Sequence, residues 1–229
     1  MRIVILTGAG ISAESGLATF RAEDGLWSGH SVDAVATIKG YRRNPQYVLD
    51  FYNDRRNDVS KAQPNAAHTA IAKLQNSKHD VFLVTQNVDD LHEKAESNQV
   101  CHMHGSLANA RCESCSHVFP ANSVMKVEDH CPECGELTVR PDIVWFGEIP
   151  MHMEHITSLL YKCDFFLAIG TSGNVYPAAQ FVRTAKKKAT TIEFNLTRSE
   201  NANDFEKRII GPAGQTVPQW VDEFLSEYK

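Results

Sequence analysis

Arg2-Ile3-Val4-Ile5-Leu6-Thr7-Gly8-Ala9-Gly10-Ile11-Ser12-Ala13 is the stretch that decides the fold. Its first half is apolar and β-branched without polar alternation, the pattern of a strand buried on both faces of a parallel sheet. Its second half satisfies G-x-G-x-x-G/A. Glycine permits a tight strand-to-helix turn and lets backbone N–H groups approach a pyrophosphate. Taken alone the pattern serves equally for an ordinary turn. The acidic residue about 20 positions on, at the end of a second strand, is not recognisable. Instead Ser12–Arg21 and Asp24-Gly25-Leu26-Trp27 read as a long polar loop. At a strand end such a loop is more often functional than idle, and it suits a lid over a cofactor.

Similar apolar runs recur at Val81–Thr85, Phe165–Gly170 and Thr190–Asn195, with helical patterns before them over Asn65–Leu74, Met153–Tyr161 and Pro177–Lys187. The alternation predicts an α/β fold with a Rossmann-like, doubly wound parallel sheet. The strands end in small or polar residues, Thr7-Gly8, Thr85-Gln86-Asn87, Gly170-Thr171-Ser172 and Asn195. Ligands of open α/β sheets bind beyond these ends. Two segments break the alternation: 21–63, with a helical stretch around Gln46–Val59, and 111–140, which holds cysteine pairs. The expected division is a sheet domain of residues 1–20, 64–110 and 141–229, with 21–63 and 111–140 forming one small helical and zinc-binding lobe.

The chain has 229 residues, 42% hydrophobic and 22% charged, enough for one sizeable core with an inserted lobe. Lys+Arg 23 against Asp+Glu 28 gives −5, which argues against a surface that coats nucleic acid. No run approaches the ~20 apolar residues needed to cross a bilayer. Ile3–Leu6 is also too short for the core of a signal peptide. The expectation is a cytoplasmic protein without a membrane partner.

Cys112-x-x-Cys115 and Cys131-x-x-Cys134, fifteen residues apart, fit a zinc pattern. Four thiolates close a tetrahedral site with no place for water, so one structural Zn²⁺ is expected. A redox dithiol and a nucleic-acid-binding ribbon are the rival readings. Cys101 and Cys163 read as buried thiols without a role.

Together these stretches resemble a sirtuin, a family of NAD-dependent protein-lysine deacylases. The resemblance is carried by Gly8–Arg21, Gly25-Leu26-Trp27, Thr85-Gln86-Asn87-Val88-Asp89, Leu91-His92, His104-Gly105, both cysteine pairs, Val144-Trp145-Phe146-Gly147-Glu148 and Gly170-Thr171-Ser172. It is closest to bacterial sirtuins of the CobB type, in class III, which removes acidic acyl groups. Leu17-Ala18-Thr19 departs from the more usual Ile-Pro/Arg-Thr/Asp and puts the mobility of the lid in question.

The resemblance implies that residues Gly8 to Trp27 wrap NAD. Gly8, Ala9 and Gly10 would face the pyrophosphate, Ser12, Ala13, Glu14, Thr19 and Trp27 would complete the wrap, and Phe20 and Arg21 would lie near the nicotinamide ribose. Gln86, Asn87, Val88 and Asp89 would bound the nicotinamide pocket, where amides and a carboxylate suit a carboxamide and ribose hydroxyls. Gly170, Thr171, Ser172, Asn195, Leu196 and Thr197 would hold the adenosine side, and Ala213 would border the adenine. Val144, Phe146, Gly147 and Glu148 would clamp the substrate peptide against Asn174, Val175 and Tyr176 as an added strand.

Most of the ten histidines read as structural or exposed, His92 among them. His104, in Met103-His104-Gly105, stands where the family keeps its general base; His102 could share its face on a strand. In the family mechanism the acyl oxygen attacks the nicotinamide ribose carbon and expels nicotinamide. A neutral imidazole then deprotonates a ribose hydroxyl. The implied products are nicotinamide, free lysine and O-acyl-ADP-ribose.

Tyr52 and Arg55 lie three apart on a predicted helix face. By themselves they read as a packing residue and a solvent-facing arginine paired with Asp58. The resemblance reverses this, because Tyr-x-x-Arg at this place marks the acidic-acyl class, with Ala34 and Ala36 near its wide acyl pocket. A guanidinium and a phenol suit the carboxylate of a succinyl or malonyl group, and removal of acetyl groups is implied as well. The rival functions are mono-ADP-ribosyl transfer to protein and a non-enzymatic NAD-sensing or zinc-dependent binding module.

Overall fold

The computed structural model describes residues 1–21, 26, 27 and 29–228, with backbone alone at Phe20, Arg21 and Leu26. The part of the polar loop at Asp24-Gly25 lies outside the described residues. The chain opens with β1 (Arg2–Thr7), a 3-10 segment (Ala9–Ser15), and the short strands β2 (Phe20–Arg21), β3 (Leu26–Trp27) and β4 (His30–Ser31). Helices α1 (Val32–Val35), α2 (Ile38–Arg43), α3 (Pro45–Lys61) and α4 (Ala66–Gln75) follow, then β5 (Asp80–Thr85), α5 (Leu91–Lys94) and β6 (Cys101–His102). Next come β7 (Gly105–Cys112), β8 (Val118–Pro120), β9 (Val139–Ile143), α6 (Met153–Leu160) and β10 (Phe165–Ile169). The chain closes with α7 (Phe181–Ala185), β11 (Thr190–Asn195), β12 (Lys207–Ile210) and α8 (Ala213–Glu227).

The main sheet has the order β12-β11-β10-β1-β5-β6, each strand parallel to its neighbours. Strand side chains alternate between faces, and both faces are covered. Ile3, Ile5, Leu83, Leu167, Ile192 and Phe194 pack on one side with Ile71 and Leu74 of α4 and Val217, Val221 and Phe224 of α8. Val4, Leu6, Val84, Phe166 and Ala168 pack on the other with Ile156 and Leu160 of α6 and Phe181 and Val182 of α7. Cys163 is buried and Cys101 half-buried in that second layer.

The smaller lobe is built on α3 and the antiparallel sheet β8-β7-β9. Asn44 accepts from the Tyr47 N–H at 3.3 Å, and Pro45 occupies the first turn, so α3 starts where its sequence says it should. Val48, Phe51 and Tyr52 pack on Leu107, Ile143 and Trp145, while Leu49 packs on Cys112, Cys131 and Val139. One helix thus supplies a wall to the cleft and a floor to the cysteine cluster.

Three expectations are corrected. The polar loop carries β2 and β3 of a small antiparallel sheet that β4, just beyond it, completes. The segment after Gly8 is a 3-10 helix with Gly16 left-handed at its end (φ 84°), rather than the start of an α-helix. The helix expected over Pro177–Lys187 is divided into a 3-10 turn, Ala178–Gln180, and α7. The Ala179 carbonyl accepts from Asn201 Nδ2 at 2.8 Å, so the first turn is held by a side chain from a distant loop.

Under the carboxyl ends of β1 and β5, His92 Nε2 meets the Thr7 hydroxyl at 3.0 Å, and the His68 and His92 rings lie 4.9 Å apart. Both are buried, and His68 Nε2 and His92 Nδ1 have no partner. Burial pushes His68 down to about 4 and His92 well below the usual imidazole value. A depressed folded value means that the unfolded chain takes up the proton first. Stability is therefore lost as pH falls below ~6.5, and the loss levels off near the folded value. His102 works in the opposite sense: burial would lower it, but its bond to Glu93 raises it. Denaturant unfolding at pH 7 and pH 5 should show a smaller acid loss in His68→Asn than in the parent, by about 2 kcal/mol.

Candidate functional site

The cleft forms where the turn after β1 abuts the turn after β10. The Gly8 N–H donates to the Ile169 carbonyl at 3.0 Å and the Gly10 N–H to the Gly170 carbonyl at 2.9 Å. A Cβ on Gly170, already left-handed at φ 63°, would stand 2.3 Å from the Ile11 nitrogen; one on Gly10 would stand 2.7 Å from Gly170 Cα. Only glycines let the two turns meet. Beside them the Ser12 hydroxyl donates to Asp89 Oδ2 and accepts from Asn87 Nδ2, both at 3.1 Å. Burial raises the Asp89 carboxyl, against the bonds from Leu91 N–H and Ser12. At the far end, Asn195 Nδ2 donates to the Thr171 carbonyl at 2.7 Å, and buried Glu193 accepts from the Ser199 N–H at 3.1 Å. These bonds hold the loop over 196–200 against the cleft.

His104 stands between β6 and β7, where its carbonyl accepts from the Val144 N–H at 2.9 Å. Its Nδ1 lies 3.1 Å from the Gln86 carbonyl. A carbonyl only accepts, so Nδ1 carries the proton and Nε2 keeps its lone pair toward the cleft. Burial lowers His104, and the bond to Gln86 only partly offsets this. The imidazole is neutral at pH 7. His102 makes the matching bond to the Asn87 carbonyl at 3.1 Å, but its Nε2 is taken by Glu93 at 2.7 Å.

Tyr52 and Arg55 reach the same cleft from α3. The Trp145 indole N–H donates to the Tyr52 oxygen at 2.8 Å. The indole has no acceptor, so the phenol keeps its own proton to give. Burial raises Tyr52, which stays protonated. Behind Trp145 lies Arg140, its side chain 2% exposed and its guanidinium 4.1 Å from the centroid of the Trp145 ring. Arg140 pairs with Glu113 at 3.0 Å and with Glu148, and donates to the Ile143 carbonyl at 3.1 Å. Glu148 in turn accepts from the Trp145 N–H at 2.8 Å and from Arg111 at 3.0 Å.

Cys112, Cys115, Cys131 and Cys134 bring their sulfurs within 4.8 Å of one another. Each pair sits on a turn of the same form, with Ser116 N–H bonded to the Cys112 carbonyl at 3.0 Å and Gly135 N–H to the Cys131 carbonyl at 2.9 Å. A tetrahedron of sulfurs ~2.3 Å from zinc has edges of roughly 3.8 Å, so the cluster fits Zn²⁺.

The cleft, of about 430 Å³, gathers most of the residues named from the sequence. Gly8, Ala9, Gly10, Ser12, Thr19, Trp27, Gln86, Asn87, Val88, Asp89, His104, Gly170, Thr171, Ser172, Asn195 and Thr197 line it, as do Tyr52, Arg55, Val144, Phe146, Gly147, Glu148, Val175 and Tyr176. Ala36 lines it and Ala34 does not. Ala13, Glu14, Leu196 and Ala213 stand apart from it. Glu14 turns away to accept from the Gly214 N–H at 2.9 Å, Leu196 is 67% exposed, and Ala213 is buried as the first residue of α8. The side chains of Phe20 and Arg21 lie outside the described residues. Sequence reasoning named Trp145 only as part of the Val144–Glu148 run, and passed over Asp58, Ser199 and Glu200 as lining residues. Trp145 had a signal, since an indole inside the quoted Val144–Glu148 run needs a buried partner for its N–H.

A cradle of glycines at a sheet switch point, facing a neutral imidazole in a chain that also carries a four-cysteine centre, defines a class of dinucleotide-using α/β proteins. The Sir2 family profile matches residues 8–177, and the chain belongs to that family. It is 52% identical to "NAD-dependent protein deacylase SIR2rp3" of Leishmania major, over 98% of this chain and 96% of that protein. It is 49% identical to the "NAD-dependent protein deacylase" of Escherichia coli K12, over 100% of this chain and 84% of that one. A solved Sir2 homolog–NAD complex superposes with a TM-score of 0.88 at 36% identity, over 100% of this chain and 91% of the other.

Two outcomes follow from the buried parts. Arg140→Met should lower the unfolding free energy by about 1.5–3 kcal/mol, the range of lost charged hydrogen bonds, because Glu148 keeps Arg111 and Glu113 is half-exposed; denaturant titration measures it. Elemental analysis should find one zinc per chain in the parent protein, and Cys112→Ser should lose both the metal and part of the unfolding free energy.

Proposed function

We propose that this protein removes acyl groups from lysines of other proteins with NAD as co-substrate, accepting acetyl as well as succinyl and malonyl groups. The products are nicotinamide, free lysine and O-acyl-ADP-ribose. The observation that carries this reading is the neutral His104, its Nε2 lone pair facing the cleft that the glycine cradle and Tyr52 also line. NAD, when bound, supplies a ribose carbon that becomes electrophilic as nicotinamide leaves.

The chain's residues do the rest. Gly8 and Gly10 leave room for the pyrophosphate. Asn87 and Asp89, held by Ser12, present an amide and a carboxylate to the nicotinamide end. His104 takes a proton at Nε2 while the Gln86 carbonyl keeps its ring oriented. The backbone of Val144–Glu148 and of Asn174–Tyr176 holds the peptide as an added strand. Tyr52 donates its remaining proton, and Arg55, whose buried Nε has no partner, adds a charged donor to an acyl carboxylate.

The same reading has acyl-lysine proteins as partners, rather than nucleic acid or membranes, and the cytoplasm as working place. No helix among the described residues is long and apolar enough to cross a membrane, and the net charge is −5. It also divides the chain into the sheet domain 1–20, 64–110 and 141–229 and the lobe 21–63 and 111–140.

Mass spectrometry of acetyl-, malonyl- and succinyl-lysine peptides, with and without NAD, tests the assignment. Deacylation should require NAD and release nicotinamide, and His104→Ala should abolish it. Labelled NAD appearing on protein instead would identify ADP-ribosyl transfer. Arg55→Met should cut desuccinylation about 10- to 100-fold more than deacetylation, the range of a lost charged hydrogen bond. Because burial depresses His104, the acid limb of kcat/KM should fall at lower pH than the ~6.5 of a free imidazole.

A further inference from the structure

Arg55 and Asp58 lie one turn apart on α3, and both line the cleft. Arg55 Nη2 pairs with Asp58 Oδ2 at 2.8 Å. The two ends of the pair differ in setting: the arginine side chain is 19% exposed and the aspartate side chain 50%. The guanidinium carbon is 5.4 Å from the centroid of the Phe51 ring, and Arg55 Nε is buried with no partner. The arginine is thus fixed in the wall while its counter-ion stands at the water's edge.

We propose that Asp58 is an exchangeable counter-ion that lets one pocket accept both neutral and acidic acyl groups. The inference rests on the reading of Tyr52 and Arg55 given above. A guanidinium left unpaired beside a neutral acetyl group would be a largely desolvated charge without compensation. Asp58 removes that penalty. A half-exposed pair is weak and screened, so a carboxylate delivered on the acyl chain, bonded also by Tyr52, displaces Asp58 into solvent at small cost. Asp58 therefore sets the ratio between the two substrate types without touching the reacting atoms.

The test measures kcat and KM on matched acetyl- and succinyl-lysine peptides for the parent, Asp58→Asn, Asp58→Glu and Arg55→Met. Removing the competing carboxylate should lower KM for the succinyl peptide about three- to fivefold, a shift on the scale of an exposed ion pair. KM for the acetyl peptide should rise, with kcat little changed on either. Asp58→Glu should restore the parent ratio. An Asp58→Asn ratio within twofold of the parent, or an equal loss on both peptides, overturns the proposal while leaving the pocket reading intact. A parent enzyme whose desuccinylation is absent, or indifferent to Arg55→Met, overturns the pocket reading and this proposal with it.

Discussion

The contact between the Gly8–Gly10 turn and Gly170 is the constraint on which the site depends. Strands β1 and β10 are neighbours, so their carboxyl ends arrive side by side, and the turns must pass at backbone distance. Glycine alone allows that approach. Because the turns touch, Ser12 is carried to Asn87 and Asp89, which leave the end of the adjoining strand β5. His104 is reached through the same strand end, by way of the Gln86 carbonyl. One steric condition between two turns therefore sets the cradle, the polar pocket and the base.

Arg140 joins the smaller lobe to this arrangement. Its guanidinium stacks on Trp145 and pairs with Glu113, next to Cys112, and with Glu148 at the edge of the cleft. Trp145 passes the constraint on to Tyr52 through its indole N–H. The route runs from the cysteine cluster to the acyl wall in four side chains, each bonded or stacked to the next. A buried charge serves here because its several donors fix the direction of every neighbour, which an apolar residue of equal volume would not do.

The sequence disclosed the main sheet well. Arg2–Thr7 and Thr190–Asn195 are strands over the bounds the apolar runs suggest, since strands buried on both faces leave an uninterrupted signal. The cysteine cluster was equally legible, because ligand spacing reports local turns. Three kinds of feature were not. Two-residue strands such as β3 and β4 are too short for any period. Pro177–Lys187 carries a helical pattern whose first turn is decided by Asn201, a residue no local window contains. Glu14 sits in the middle of the cofactor motif yet faces away, because its partner is the N–H of Gly214, beyond the reach of any motif. Tertiary bonds decided each of these.

That last bond has a temporal consequence. Glu14 and Gly214 are 200 positions apart, and the 3-10 segment of the cradle rests on α8, the final helix. At about 5–20 residues per second, synthesis separates the two partners by roughly 10–40 s. While the nascent chain lengthens, its amino-terminal turn waits without the element that braces it. The nucleotide-receiving surface is thus completed only once α8 has been made, and a chain truncated before α8 would keep the motif without the architecture that shapes it.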